Sequence, residues 1–159
     1  MANFNSKHIL VATAAAVLAA GGVAVAAPGP GGDAAAARRI RLVEVQRNNT
    51  QLDLGKKGFS PGDRQTIRSD VLTPAGKTVG RLDDDCAVTQ TGKSPEVVCT
   101  FVISLAQGEL TGGFAQSLAG SDAGKRQAIT GGTGAYAGAR GQIVVGTEGK
   151  LTPFTVVLR

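Results

Sequence analysis

Two carboxylates and two sulfurs stand out in this sequence as groups whose surroundings could give them chemistry. Glu44 falls in the alternation Ile40, Leu42, Glu44, Gln46, which in a strand puts it on one face with two aliphatic residues. A carboxylate folded into such a face loses its water, its pKa rises, and it can hold or exchange a proton near neutrality. The same glutamate on an outer wall is an ordinary solvated charge, and alternation alone leaves both readings open. Asp84 shares a strand face with Leu82, Cys86 and Val88 and is a second candidate acid, the alternative being a solvated aspartate toward a turn.

Cys86 and Cys99 admit two readings, a reactive thiol or a disulfide. A reactive thiol needs a neighbouring base or cation to form its thiolate, and the single histidine, His8, lies far away in sequence. The midpoint of the two cysteines falls between Gly92 and Lys93, in the turn-like run Thr91-Gly92-Lys93-Ser94. In a hairpin with that turn the two sulfurs face each other on adjacent strands, and an oxidising compartment would join them. The expectation is one hairpin disulfide.

The compartment is read from the N-terminus. Lys7 and His8 precede an apolar run from Ile9 to Ala20, and Ala24-Val25-Ala26 supplies the small-x-small pattern of a cleavage site. Residues 1–26 are expected to be a signal peptide and the protein secreted, the alternative being an uncleaved N-terminal anchor. Residues 27–37, rich in Ala, Gly and Pro, read as a flexible spacer before a single domain at 38–159.

Cleavage would remove His8 and leave a chain without histidine, which excludes a histidine triad, a histidine base and a histidine metal site. Two cysteines do not make a zinc site, so neither metal nor cofactor is expected. The mature chain carries 16 Lys and Arg against 12 Asp and Glu, a mild surplus. Arg38, Arg39 and Arg41 read as the solvated start of the first strand, so neither nucleic-acid binding nor a stable membrane anchor is expected. With one Tyr, five Phe and no Trp, stacking platforms for bases or sugars are scarce.

The elements that must position Glu44, Asp84 and the cysteines are strands. From Ile40 onward apolar residues recur with period two in short runs, broken by Gly, Pro, Asn and Asp clusters, and helical periodicity is nearly absent. The pattern predicts about eight strands, near 40–47, 63–73, 77–90, 95–107, 109–118, 125–130, 141–147 and 150–158. Pro74-Ala75-Gly76-Lys77, Gly120-Ser121-Asp122 and Glu148-Gly149 supply further hairpin turns. Hairpin after hairpin favours a closed antiparallel up-and-down barrel, because closure removes both unpaired edges. A sandwich is the runner-up.

The segment Ile129-Thr130-Gly131-Gly132-Thr133-Gly134-Ala135-Tyr136-Ala137-Gly138-Ala139-Arg140-Gly141 is the most distinctive in the chain. A dinucleotide site would need a helix and a parallel strand after these glycines, whereas the 25 residues from Ala135 to Arg159 read as two strands. The glycines Gly131, Gly132, Gly134, Gly138 and Gly141 instead suit a turn between barrel strands with positive φ at several positions.

This segment resembles the family of allene oxide cyclases and dirigent proteins, whose barrel carries V-x-G-G-S/T-G-x-F/Y-x-x-x-x-G late in the chain. Gly131-Gly132-Thr133-Gly134, Tyr136 and Gly141 match it in order. Ser60-Pro61-Gly62-Asp63 resembles the Gly-Asp start of the family's second strand, and Gly80-Arg81-Leu82 with Cys86-Ala87-Val88-Thr89-Gln90 resembles its third. The resemblance spans roughly Ile40 to Val145. It implies an eight-stranded barrel, often trimeric, whose apolar lumen holds a small hydrophobic or phenolic molecule and steers cyclisation or isomerisation without a cofactor. Glu44-Val45-Gln46 resembles the E-x-N pair of the cyclases' first strand, which implies Glu44 as the catalytic residue with Gln46 beside it facing the ligand. Ser69 stands where the cyclases have Asn and is implied as a further ligand contact, with Asp84 an additional one. Thr66 stands in place of their Pro, and most of their pocket aromatics are missing. A carrier that holds a ligand unchanged, and a structural barrel filled by its own side chains, are the competing functions.

Overall fold

The computed structural model describes residues 37–119, 123–146 and 151–159. The expected signal peptide, nearly all of the spacer, and the turns expected at 120–122 and 148–149 lie outside the described residues. The strands are β1 (Arg38–Leu52), β2 (Arg64–Leu72), β3 (Thr78–Gln90), β4 (Glu96–Leu105), β5 (Gly108–Ser117), β6 (Arg126–Gly132), β7 (Gly141–Val145) and β8 (Thr152–Leu158). Each pairs antiparallel with the next, and β8 returns to β1, with Glu44 opposite Thr152 and Leu42 opposite Phe154. The fold is an all-β closed barrel of eight strands in sequence order.

Residues 48–52 extend β1 beyond the expected end at Arg47. Asn48 and Asn49 read as turn formers in the sequence, yet Asn49 pairs with Ile67 and Leu52 with Arg64 across a register shift between Gln46 and Asn48. A bulge of this kind lets a strand bend and continue where its alternation is interrupted. The β3–β4 hairpin has the register that the cysteines suggested, Cys86 opposite Cys99, and their sulfurs are bonded.

Alternation decides which side chains fill the barrel. Leu42, Val71, Leu82, Phe101, Ile103, Leu110, Ile129, Ile143, Phe154, Val156 and Leu158 point inward and form one buried cluster. Outward positions on β1 to β3 carry Arg and Asp instead, and Arg47 pairs with Asp70, Arg64 with Asp85 and Arg81 with Asp83. These exposed pairs contribute little stability, but they satisfy a charged outer wall.

The two ends of the barrel differ. At the end where β1 begins and β2 finishes, the glycine segment folds over the opening as a single 3-10 turn, Gly134–Tyr136, which buries Tyr136 against the core. Arg38 lies over the Tyr136 ring, 5.5 Å from its centroid. Gly134, Gly138 and Gly141 have positive φ, as the turn reading requires. Gly131 and Gly132 do not; they remain in β6. Gly132 is needed for closeness instead, since a Cβ there would stand 2.5 Å from the Tyr136 carbonyl oxygen and 2.6 Å from that of Glu109. The opposite end, where β1 finishes and β2 begins, is open.

Candidate active site

Above the packed cluster the lumen holds a cavity of about 380 Å³ that opens at that end. Its walls are apolar in their deeper part, with Leu82, Ile103, Phe154 and Ile143, and the Cys86–Cys99 disulfide forms part of one side. Glu44 of β1 and Asp84 of β3 face into it. Each follows from the pleat: Glu44 continues the inward row Ile40, Leu42, and Asp84 lies between Leu82 and Cys86 on the inward face of β3.

Between these strands runs β2, whose inward residues are Gln65, Ile67, Ser69 and Val71. Ser69 is 0% exposed, and its hydroxyl donates a 2.7 Å hydrogen bond to Glu44 Oε1. Ile67 stands opposite Asp84. Among the described residues no group donates a hydrogen bond to Asp84.

This difference sets the protonation of the two acids. Desolvation in the lumen raises the Glu44 pKa above its ordinary 4.5, and the Ser69 hydrogen bond, which favours the ionised form, pulls it partly back. Asp84 is pushed from 3.8 up to about 7, first by desolvation and then by the negative charges of Glu44 and Asp83. The Ser69 bond thus favours the charged form of Glu44, while Asp84, which has no such donor among the described residues, holds its proton up to about 7. Two carboxylates with unlike hydrogen-bond surroundings, on the strands either side of β2, equip the cavity for general acid and base work on a ligand beside them.

The basic side chains on the cavity wall, Lys125 and Arg126, stand where β6 begins, at the mouth. Lys125 Nζ donates to the Ser117 carbonyl oxygen at 3.4 Å. Among the described residues no three His, Cys, Asp or Glu side chains gather in a way that would hold a metal ion.

Of the residues singled out in the sequence, Glu44, Ser69, Asp84, Cys86 and Cys99 come together around this lumen. Asp84 is not the solvated, turnward aspartate of one reading; the register that pairs the cysteines turns it inward. Gln46 lines the cavity too, but it is exposed at the mouth, beside the β1 bulge, whereas the two acids are half-buried. The glycine segment lies at the closed end and contributes no wall to the cavity. Sequence reasoning missed Gln65, Gln127 and Thr152, polar residues on the upper wall. Gln65 was within reach, because it is in alternation with Ile67, Ser69 and Val71.

No known protein family matches the sequence, and no curated protein matches it. Solved structures do. A pyocyanin demethylase superposes with a TM-score of 0.67 at 26% identity, over 77% of this chain and 100% of the other. A nonspecific heme-binding cyclase that catalyzes a 4 + 2 cycloaddition during neoabyssomicin biosynthesis gives 0.64 at 18% identity, over 77% of this chain and 66% of the other. A Diels-Alderase from Streptomyces koyangensis gives 0.62 at 16% identity, over 77% and 63%. Barrels of this fold thus include a demethylase and two proteins named for cycloaddition chemistry.

Proposed function

We propose that the barrel binds a small, largely apolar molecule in its lumen and steers an isomerisation or cyclisation by proton transfer, with Asp84 as acid and Glu44 as base. The observation that carries this reading is an open cavity, apolar in its deeper part, into which two carboxylates face, with a serine hydroxyl bonded to one of them and, among the described residues, no donor on the other. A structural barrel would have its lumen filled, and a carrier for apolar ligands has no need to bury two acids, whose desolvation is costly.

The chemistry follows from what each group can reach. The Asp84 hydroxyl donates its proton to a carbonyl, epoxide or ring heteroatom of the ligand, and the Glu44 carboxylate accepts a proton from an adjacent carbon. The ligand's proton count is unchanged and a double bond or ring closure shifts position. A proton then passes from Glu44 back to Asp84 through water at the mouth, which restores the starting state. Ser69 keeps Glu44 oriented and favours its ionised form, and the apolar wall fixes the ligand's conformation so that one product forms.

The charges also select the ligand. With two acids in the lumen and the basic side chains at its rim, a deeply seated carboxylate would meet repulsion, so the seated part is neutral or cationic. A cavity of this size suits a molecule at the small end of the usual ligand range. The test is native mass spectrometry of protein recovered from its source, to identify a retained ligand, followed by conversion of that ligand by wild type, Glu44→Gln and Asp84→Asn proteins. Retention with loss of conversion in both variants supports the reading; equal conversion by all three overturns it.

A further inference from the structure

Five of the six large apolar side chains that the described residues leave exposed gather at the open end of the barrel. Leu52, Leu54 and Phe59 belong to the end of β1 and the β1–β2 connection, Leu118 follows β5, and Leu151 precedes β8. Phe59 is 57% exposed and Leu54 45%. The sixth, Val98, lies on the outer wall of β4.

The connection that presents Leu54 and Phe59 is firmly built. The Asp63 carboxylate accepts hydrogen bonds from the backbone N–H of Leu54 at 2.8 Å and of Ser60 at 2.7 Å. Asp53 accepts from the Gly58 N–H at 2.9 Å, and the Ser60 hydroxyl donates to the Lys56 carbonyl oxygen at 3.1 Å. Gly62 N–H donates to the Val88 carbonyl oxygen and Val88 N–H to that of Asp63, which ties the segment to β3. Both aspartates are thus turned to backbone donors, while Lys56 and Lys57 stand exposed between Leu54 and Phe59. Lys93, in the neighbouring β3–β4 turn, is exposed at the same end, as is the carboxylate residue Glu96.

A fixed segment that holds a phenylalanine and a leucine in water gains nothing from its own fold, and such gatherings mark contact surfaces. Two lysines between the apolar side chains choose the surface: apolar beneath and negative at its edge, which is the chemistry of a bilayer with anionic headgroups. We propose that the open end of the barrel docks on an anionic lipid bilayer, with Leu54 and Phe59 inserted at headgroup depth and Lys56 and Lys57 on the phosphates. A second space, of about 300 Å³, lies under this segment and shares Gln65, Cys86, Val97 and Leu118 with the lumen. The docking does not depend on the chemistry assigned to Glu44 and Asp84.

The sequence contains no tryptophan, so Phe59→Trp places a single indole reporter on the segment. Membrane contact made elsewhere in the full chain does not register on it. Added vesicles of phosphatidylcholine with phosphatidylglycerol are expected to shift its emission to the blue, and lipids brominated on the acyl chain are expected to quench it. Lys56→Gln with Lys57→Gln should lower partitioning about thirtyfold, and the control Val98→Trp should show neither shift nor quenching. Leu54→Trp gives a second reporter at another exposed position of the same segment. The proposal is overturned if neither reporter responds to anionic vesicles, if Val98→Trp responds equally, or if a blue shift grows with protein concentration in the absence of vesicles, which would assign this end to a second copy of the chain.

Discussion

Ser69 donates its hydroxyl proton to Glu44 across 2.7 Å, from a position that is wholly buried between β1 and β3. That one bond separates the roles of two acids in the same cavity. It favours the ionised form of Glu44, and the charge so retained helps hold the proton on Asp84. Because the acids are coupled, their titration belongs to the pair. Carbon-13 NMR of the side-chain carboxyls should show an upper step at about 7. Ser69→Ala should move the lower step upward, since Glu44 loses the bond that favours its charge. Asp84→Asn should abolish the upper step.

Stability should depend on pH through the same pair. Asp84 has a folded pKa above its unfolded value of 3.8, so its contribution is fully present below 3.8 and is lost as pH rises through about 7. Glu44, also raised, acts in the same direction. Asp63 acts oppositely: the Leu54 and Ser60 N–H groups hold its pKa below 3.8, so its contribution is present above that value and lost as pH falls through the folded pKa. The difference between wild type and Asp84→Asn isolates the first effect. Urea titrations should show the variant gaining on wild type between pH 4 and 8, by on the order of 2 kcal/mol after solvent screening. A constant difference would place Asp84 in water.

The Cys86–Cys99 bond closes a short loop across β3 and β4, with a sequence separation of 13. Cross-linking a loop of that length stabilises by about 3 kcal/mol in the chain-entropy account. Cys86→Ala with Cys99→Ala should lower the urea midpoint accordingly and leave the barrel's circular dichroism unchanged. Intact mass after alkylation without reductant should show no modified cysteine in the wild type.

Gly134 and Gly132 should be sensitive to alanine for different reasons. At Gly134 φ is +56°, and a Cβ would also meet the Gln107 carbonyl oxygen at 2.4 Å. At Gly132 the obstacle is closeness to the Tyr136 and Glu109 carbonyls alone. Each substitution should cost of order 1 kcal/mol or more, read as a lower thermal midpoint. Neither should change ligand affinity in the folded protein, because the glycine segment plugs the end away from the cavity.

Much of this arrangement was legible in the residues. The symmetry of Cys86 and Cys99 about Gly92 set the register of the central hairpin, and that register in turn oriented Asp84. The inward row Ile40, Leu42, Glu44 could be read from alternation once strands were accepted. What left Asp84 open to a solvated reading was its setting between Asp83 and Asp85. In the folded chain Asp83 and Asp85 take arginine partners outside while the middle aspartate turns in. The bulge that leaves Gln46 at the mouth has no signature in the sequence, since it reflects how β1 bends to close the barrel. The cavity itself was equally unreadable, because its volume depends on all eight strands meeting at one diameter.

The central claim, proton transfer inside the lumen, is tested most directly by deuterium exchange. The ligand identified from the native protein is incubated in deuterated water with wild type, Glu44→Gln and Asp84→Asn proteins, and its isotopic content is followed by mass spectrometry alongside its binding constant. Wild type should incorporate deuterium at the carbon next to the polarised heteroatom. Both variants should bind the ligand within a few-fold of wild type and incorporate it at least about a hundredfold more slowly, the usual scale of a lost general acid or base. Equal incorporation by wild type and both variants, with binding intact, would contradict the account and leave the barrel a carrier.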